Sequence, residues 1–185
     1  MKKTLEIQIK DYEKPIKELI GKTVSEIYYY ELEYENGQTY WDEKEYHTLD
    51  FGLEMIMSDL EKFYFIWDSE LAQFNVKFKK GDITTEFSEN STHKKHNVSN
   101  NELWSELMKS KIIGISSHWS HWQYLSQKEP NYYPQNIKLD FENDKSVWIS
   151  ATEIENDNPK EMADNITIIF DKRVAKKYNI GEKTV

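Results

Sequence analysis

Apolar and polar residues alternate along much of this chain, and that period of two predicts strands. Leu53, Met55 and Met57 alternate, the polar run "SDLEK" follows, and Phe63, Phe65 and Trp67 alternate back, which predicts a β-hairpin. Ile137, Leu139 and Phe141, then "ENDKS", then Val147, Ile149 and Ala151 repeat the pattern. Phe74, Val76 and Phe78, and later Ile166, Ile168 and Phe170, predict one further strand each. Leu5, Ile7 and Ile9 alternate as well and predict a strand at the N-terminus.

Two stretches carry helical spacing instead. Ile16, Leu19 and Ile20 form an i, i+3, i+4 stripe between Pro15, suited to a first turn, and Gly21, suited to a C-terminal cap. Ser99 and Glu102 have the spacing of a capping box, and Leu103, Trp104, Leu107 and Met108 supply an apolar face. The expected fold is therefore α+β, a mainly antiparallel sheet with two short amphipathic helices.

The pattern also repeats. "ELIGKTVSEI" at 18–27 matches "ELMKSKIIGI" at 106–115, and the hairpins at 53–67 and 137–151 correspond. This predicts two similar halves of a helix plus four strands, 1–80 and 101–185, joined by a polar linker or long loop at 81–100, together in one compact domain or in two.

The segment 27–46, "IYYYELEYENGQTYWDEKEY", combines alternation with an Asn36-Gly37 dipeptide, a strong signal for a type I′ hairpin turn. In that register Leu32 faces Trp41 and Tyr30 faces Glu43. Tyr28, Tyr30, Leu32, Tyr34 and Trp41 then share a core-facing side, while Tyr29, Glu31, Glu33, Glu35, Tyr40, Asp42 and Tyr46 share the outward one. Glu31 would lie opposite Asp42, a like-charge pair that stability alone does not select.

Charge sharpens this picture. The chain has 24 basic and 33 acidic residues, a formal net charge of -9. Between 26 and 70 there are thirteen acids against Lys44 and Lys62, a local charge of 2 - 13 = -11, so the rest is slightly basic. Such a balance opposes nucleic acid as a partner. It suits a basic protein, with carboxylates steering the encounter and Tyr29, Tyr40 and Tyr46 supplying rigid contact area. The leading expectation is a small acidic binding module that engages a basic partner, of the kind an immunity protein offers to a cationic bacterial toxin.

A second reading places a ligand-binding or hydrolytic pocket in the second half, lined by Trp119, His121, Tyr132 and Tyr133. A third makes the chain a homodimeric structural subunit. Enzyme signatures are largely missing: there is no phosphate-cradling glycine loop, no G-x-S-x-G and no H-E-x-x-H, which favours binding over catalysis while leaving open a triad assembled from distant segments. No cofactor and no metal site is expected. His118 and His121 fall on opposite faces of a strand, and "HKKH" at 93–96 reads as a solvated loop. Cysteine is absent, the N-terminus lacks an unbroken apolar core, and no segment reaches the length of a membrane span, so the expected location is the cytoplasm.

Overall fold

The computed structural model describes residues 4–32, 41–88 and 92–181. The chain runs through α1 (Leu5–Ile16), a 3-10 turn at Lys17–Leu19, β1 (Val24–Leu32), β2 (Trp41–Asp42), β3 (Tyr46–Leu49), β4 (Gly52–Met57), β5 (Lys62–Asp68) and β6 (Asn75–Lys80). It continues through a 3-10 turn at Ile83–Glu86, β7 (His93–Asn97), α2 (Glu102–Ser105), β8 (Ile112–Trp122), β9 (Asn131–Phe141) and β10 (Ser146–Ser150). The last elements are β11 (Thr152–Glu155), β12 (Asn158–Glu161), β13 (Ile166–Ile169) and α3 (Lys172–Lys177). The architecture is mostly antiparallel sheet with few helices, as the alternation predicts.

Two sheets are built, in the orders β6-β5-β4-β1-β7 and β2-β3-β13-β10-β9-β8, and β11 and β12 form a separate ribbon. The sheets share one core. Ile27, Leu53, Met55 and Phe65 of the first meet Ile137, Leu139, Val147, Ile149, Ile166 and Ile168 of the second, all fully buried. Burying a side chain of this size contributes roughly 1.5–3 kcal/mol, so this contiguous layer is the main source of stability. Within each sheet four consecutive meander strands follow the same order, β6-β5-β4-β1 and β13-β10-β9-β8.

Neither meander stands alone. β3 leaves the first half to pair with β13, Ile166 opposite Leu49 and Ile168 opposite His47. β7, from the stretch expected to be a linker, pairs with β1 and forms an edge of the first sheet.

This exchange overturns the expected hairpin. Leu32 lies opposite His93 and Tyr30 opposite Lys95, not Trp41 and Glu43, and Asp42 pairs with His47. The reason is topological: β7 returns along β1 and takes the place beside it that the hairpin's return strand would have taken. The observed register puts Lys94 opposite Glu31, where the hairpin would have put Asp42. The Asn36-Gly37 turn lies outside the described residues.

The N-terminal segment is a helix, not a strand. Leu5, Ile9, Tyr12 and Ile16 recur at helical spacing, while Ile7, on which the alternation depended, is exposed. Pro15 falls in the last turn of α1 rather than at its start. The helix lies across the outer edges of both sheets. The Tyr12 hydroxyl donates to the Val76 carbonyl on β6 at 2.6 Å, and Glu13 Oε1 accepts from the Ser117 N–H on β8 at 3.0 Å. Open strand edges invite pairing with other chains, and α1 closes two of them.

α2 is shorter than expected, and Asn101 caps it by accepting from the Leu103 N–H. Ser99 instead accepts the Ile27 N–H of β1 at 2.9 Å. α3, β7 and the β11–β12 ribbon have no counterpart in the sequence reading.

Candidate functional site: an acidic cleft and a buried polar seam

β1 has two buried faces, and this decides where the opening aromatic and acidic residues go. Tyr29 is 0% exposed and Glu31 1% exposed, both directed into the space between the sheets. The alternation predicts both outward with the other acids, and burial on both faces of β1 corrects that expectation. Tyr28 and Tyr30 lie on the opposite side, where Ile83, Phe87 and Lys95 pack over them. There Tyr30, Tyr64, Ile66 and Ile83 form a second apolar cluster, with Phe51 and Phe87 against it. Lys95 sits 3.8 Å above the Tyr28 ring, and the buried Glu54 accepts from the Ile83 N–H at 3.2 Å and the Tyr30 hydroxyl at 3.3 Å. With aromatics on both faces, hydrophobicity alone could not distinguish inside from outside.

The inner face builds a polar seam joining both sheets to α2. Trp104 Nε1 donates to the Tyr29 hydroxyl at 2.5 Å, and that hydroxyl lies 2.7 Å from His47 Nδ1. Indole offers only a donor, so Tyr29 accepts from Trp104, and the same hydroxyl shares a second hydrogen bond with Nδ1 of His47. Nε2 faces Asp42 Oδ1 at 3.6 Å. Burial lowers the His47 pKa to about 4, against the opposing pull of Asp42. This tyrosine–histidine–carboxylate chain has the composition of a proton relay, but His47 and Tyr29 are both fully buried, and its role is to hold β1, β3 and α2 together.

Asp42 and Tyr46 have a different fate. Asp42 is exposed, and Tyr46 is half-buried on the outer side of the second sheet, its ring edge-on to Tyr178 at 5.8 Å. Glu33, Glu35 and Tyr40 lie outside the described residues. Tyr46 and Thr48 face a cavity of about 300 Å³, with Glu43 at one side, Glu153, Ile154, Glu155 and Asn156 of the β11–β12 ribbon overhanging it, and Asn165 beside them. Burial, then the neighbouring Tyr178, Glu43 and Asp157, push the Tyr46 hydroxyl up to about 12, so it remains a neutral hydrogen-bonding group.

Three carboxylates and one tyrosine thus line the same cavity. Lys160 pairs with Glu155 and lies 3.7 Å from Glu153. Among the described residues Glu43 makes no ion pair. Chemically, the cleft offers carboxylate acceptors and a ring face to a cationic group.

The overhanging ribbon escaped the sequence reading, although a signal was present. Asn156 and Asp157 both adopt positive φ, 50° and 63°, between the paired residues Glu155 and Asn158. That is the two-residue turn which Asn-Asp favours.

In the second half His121 pairs with Tyr132 and Trp119 with Pro134, while Ser120 pairs with Tyr133. Tyr133 therefore lies on the opposite face from Trp119, His121 and Tyr132. Trp119 is buried edge-on to Tyr12, Tyr133 donates to Glu161 at 3.0 Å, and His121 is exposed. The four do not converge on one space. His118 is on the face away from His121, hydrogen-bonded to Asn136 at 3.0 Å. The "HKKH" stretch is β7, a strand rather than a loop.

Among the described residues no group of three or more His, Asp or Glu side chains is placed to hold a metal ion, and no helix is long and apolar enough to cross a membrane. No protein-family model, curated protein or solved structure matches the chain.

Proposed function

We propose that the chain is a binding module that engages a basic protein partner, and that the cleft at Tyr46 receives a cationic side chain of that partner. The observation that carries this reading is that Glu43, Glu153 and Glu155 line one cavity with Tyr46, with Glu43 left without an ion pair among the described residues. The local charge of the 26–70 segment supports it, since thirteen acids against two lysines attract a basic surface from a distance. The contact set differs from the one expected from alternation. Tyr29 and Glu31 are buried, while Asp42 and Glu43 are exposed and Glu43 lines the cleft with Tyr46, Glu153 and Glu155. A cationic toxin, met by an immunity protein, is a partner of this class.

Trp119, His121, Tyr132 and Tyr133 divide between two faces, which gives a ligand pocket there no support. The common strand order of the two meanders, with the sequence matches between 18–27 and 106–115, supports reading 1–80 and 101–185 as related halves.

The test is calorimetric titration of the protein with an arginine-rich peptide and a panel of basic proteins. Glu43→Lys combined with Glu153→Lys is expected to weaken binding at least about tenfold, and added salt to weaken the parent protein's binding as it screens exposed charge. Affinity that ignores both changes removes the reading.

A further inference from the structure

The turn between β2 and β3 lines two cavities. Asp42 pairs with His47, the Glu43 N–H donates to the Tyr46 carbonyl at 3.0 Å, and Lys44, at φ 66°, forms the tip with Glu45. Glu43 and Tyr46 line the acidic cleft. Lys44 and Glu45 line a second cavity of about 230 Å³, together with Leu103, Leu107 and Phe170. An extended chain covers at most about 3.6 Å per residue, so residues 43 to 46 span no more than about 11 Å, and the two cavities are close neighbours.

The second cavity has a firm apolar wall. Leu107 is 2% exposed, and Leu103 and Phe170 are half-buried. The Phe170 ring stands edge-on to Trp104 at 4.9 Å and to His47 at 5.1 Å, so the seam that joins the sheets also fixes this wall. A wall already in place lowers the ordering cost of binding.

Charge separates the two cavities. At the rim of the second, Lys145 pairs with Glu106, and Asp171 pairs with Arg173 at 3.0 Å. Most of its charge is thereby neutralised, and the leucines and the phenylalanine are what it offers a ligand. The acidic cleft keeps Glu43 without an ion pair among the described residues and so attracts a cation.

We propose that the second cavity receives an aliphatic side chain of the basic partner, two positions away from the cationic side chain that enters the acidic cleft, on an extended segment. Side chains two apart on an extended chain share a face and stand about 7 Å apart, within the span of the turn. The proposal rests on the cationic reading of the cleft and adds the partner's second contact. Charge complementarity brings the segment in, and the apolar cavity selects among basic segments those with an aliphatic neighbour.

The test is calorimetric titration with three capped peptides that differ only in their core: Arg-Gly-Leu, Arg-Gly-Ser and Ser-Gly-Leu. Arg-Gly-Leu is expected to bind the parent protein about tenfold more tightly than Arg-Gly-Ser, the return on burying one aliphatic side chain. Leu103→Ala is expected to shrink that difference, and the parent comparison stands by itself should the variant not fold. Equal affinity of the two arginine peptides overturns the proposal while leaving the cationic cleft in place. No binding of either arginine peptide removes the cleft reading and this proposal with it. A leucine preference that Leu103→Ala leaves intact places the leucine elsewhere and overturns it. Sedimentation of the parent protein gives the last check, since a dimer that Leu103→Ala dissolves would assign the cavity to a second copy of the chain instead.

Discussion

His47 illustrates how one side chain ties stability to pH in this protein. It is fully buried, hydrogen-bonded to the Tyr29 hydroxyl at Nδ1, and has its pKa lowered from 6.5 to about 4. The folded state therefore refuses a proton that the unfolded chain accepts. The associated stability is present above pH 6.5 and is lost as pH falls towards about 4, with a slope of roughly 1.4 kcal/mol per pH unit. We expect His47→Gln to flatten this acid limb, checked by urea midpoints measured between those limits. An unchanged slope would mean that another group dominates acid unfolding. The sequence contained no sign of this role: a single histidine beside "DF" becomes a seam member only when Tyr29 and Trp104 arrive from distant segments, 18 and 75 positions apart in the first and second bonds.

Among the elements, α1 shows why period-two alternation can mislead. Leu5, Ile7 and Ile9 fit a strand, yet Leu5, Ile9, Tyr12 and Ile16 fit a helix over a longer span, and only burial separates the two. What the helix contributes is edge protection for β6 and β8. Tyr12→Phe with Glu13→Ala removes the hydrogen bonds to Val76 and Ser117 while keeping the helix pattern. The double variant is expected to be destabilised by about 1–3 kcal/mol and to associate more readily through the freed edges, measured by urea unfolding and light scattering. If neither quantity moves, α1 is not what guards those strands. The paired hairpins, by contrast, were legible throughout, because β4–β5 and β9–β10 each alternate apolar and polar residues on either side of a polar turn.

For the whole molecule, the exchange of strands is the governing feature. β3 from the first half completes the second sheet beside β13, β7 completes the first beside β1, and one apolar core lies between the sheets. Such interlocking predicts a single cooperative unfolding transition, with tryptophan fluorescence and far-ultraviolet circular dichroism changing together. It also predicts that fragments 1–80 and 101–185 do not fold when produced separately, since 1–80 lacks β7 and 101–185 lacks β3. Two separated transitions, or a folded fragment, would contradict this.

The sequence by itself determined the antiparallel strands and the concentration of acid in 26–70, because these follow from local periodicity and charge. Tertiary structure alone decided which face of β1 is buried, which strands change sheets, and that the acids divide between a seam closed to water and a cleft open to it. Those outcomes depend on partners far along the chain: Lys94 stands opposite Glu31 where Asp42 was expected, Ile83 and Phe87 pack against Tyr30 and Tyr28, and the β11–β12 ribbon lines one cavity with Tyr46. A period of two states that faces differ; only the second covering layer decides what each face meets.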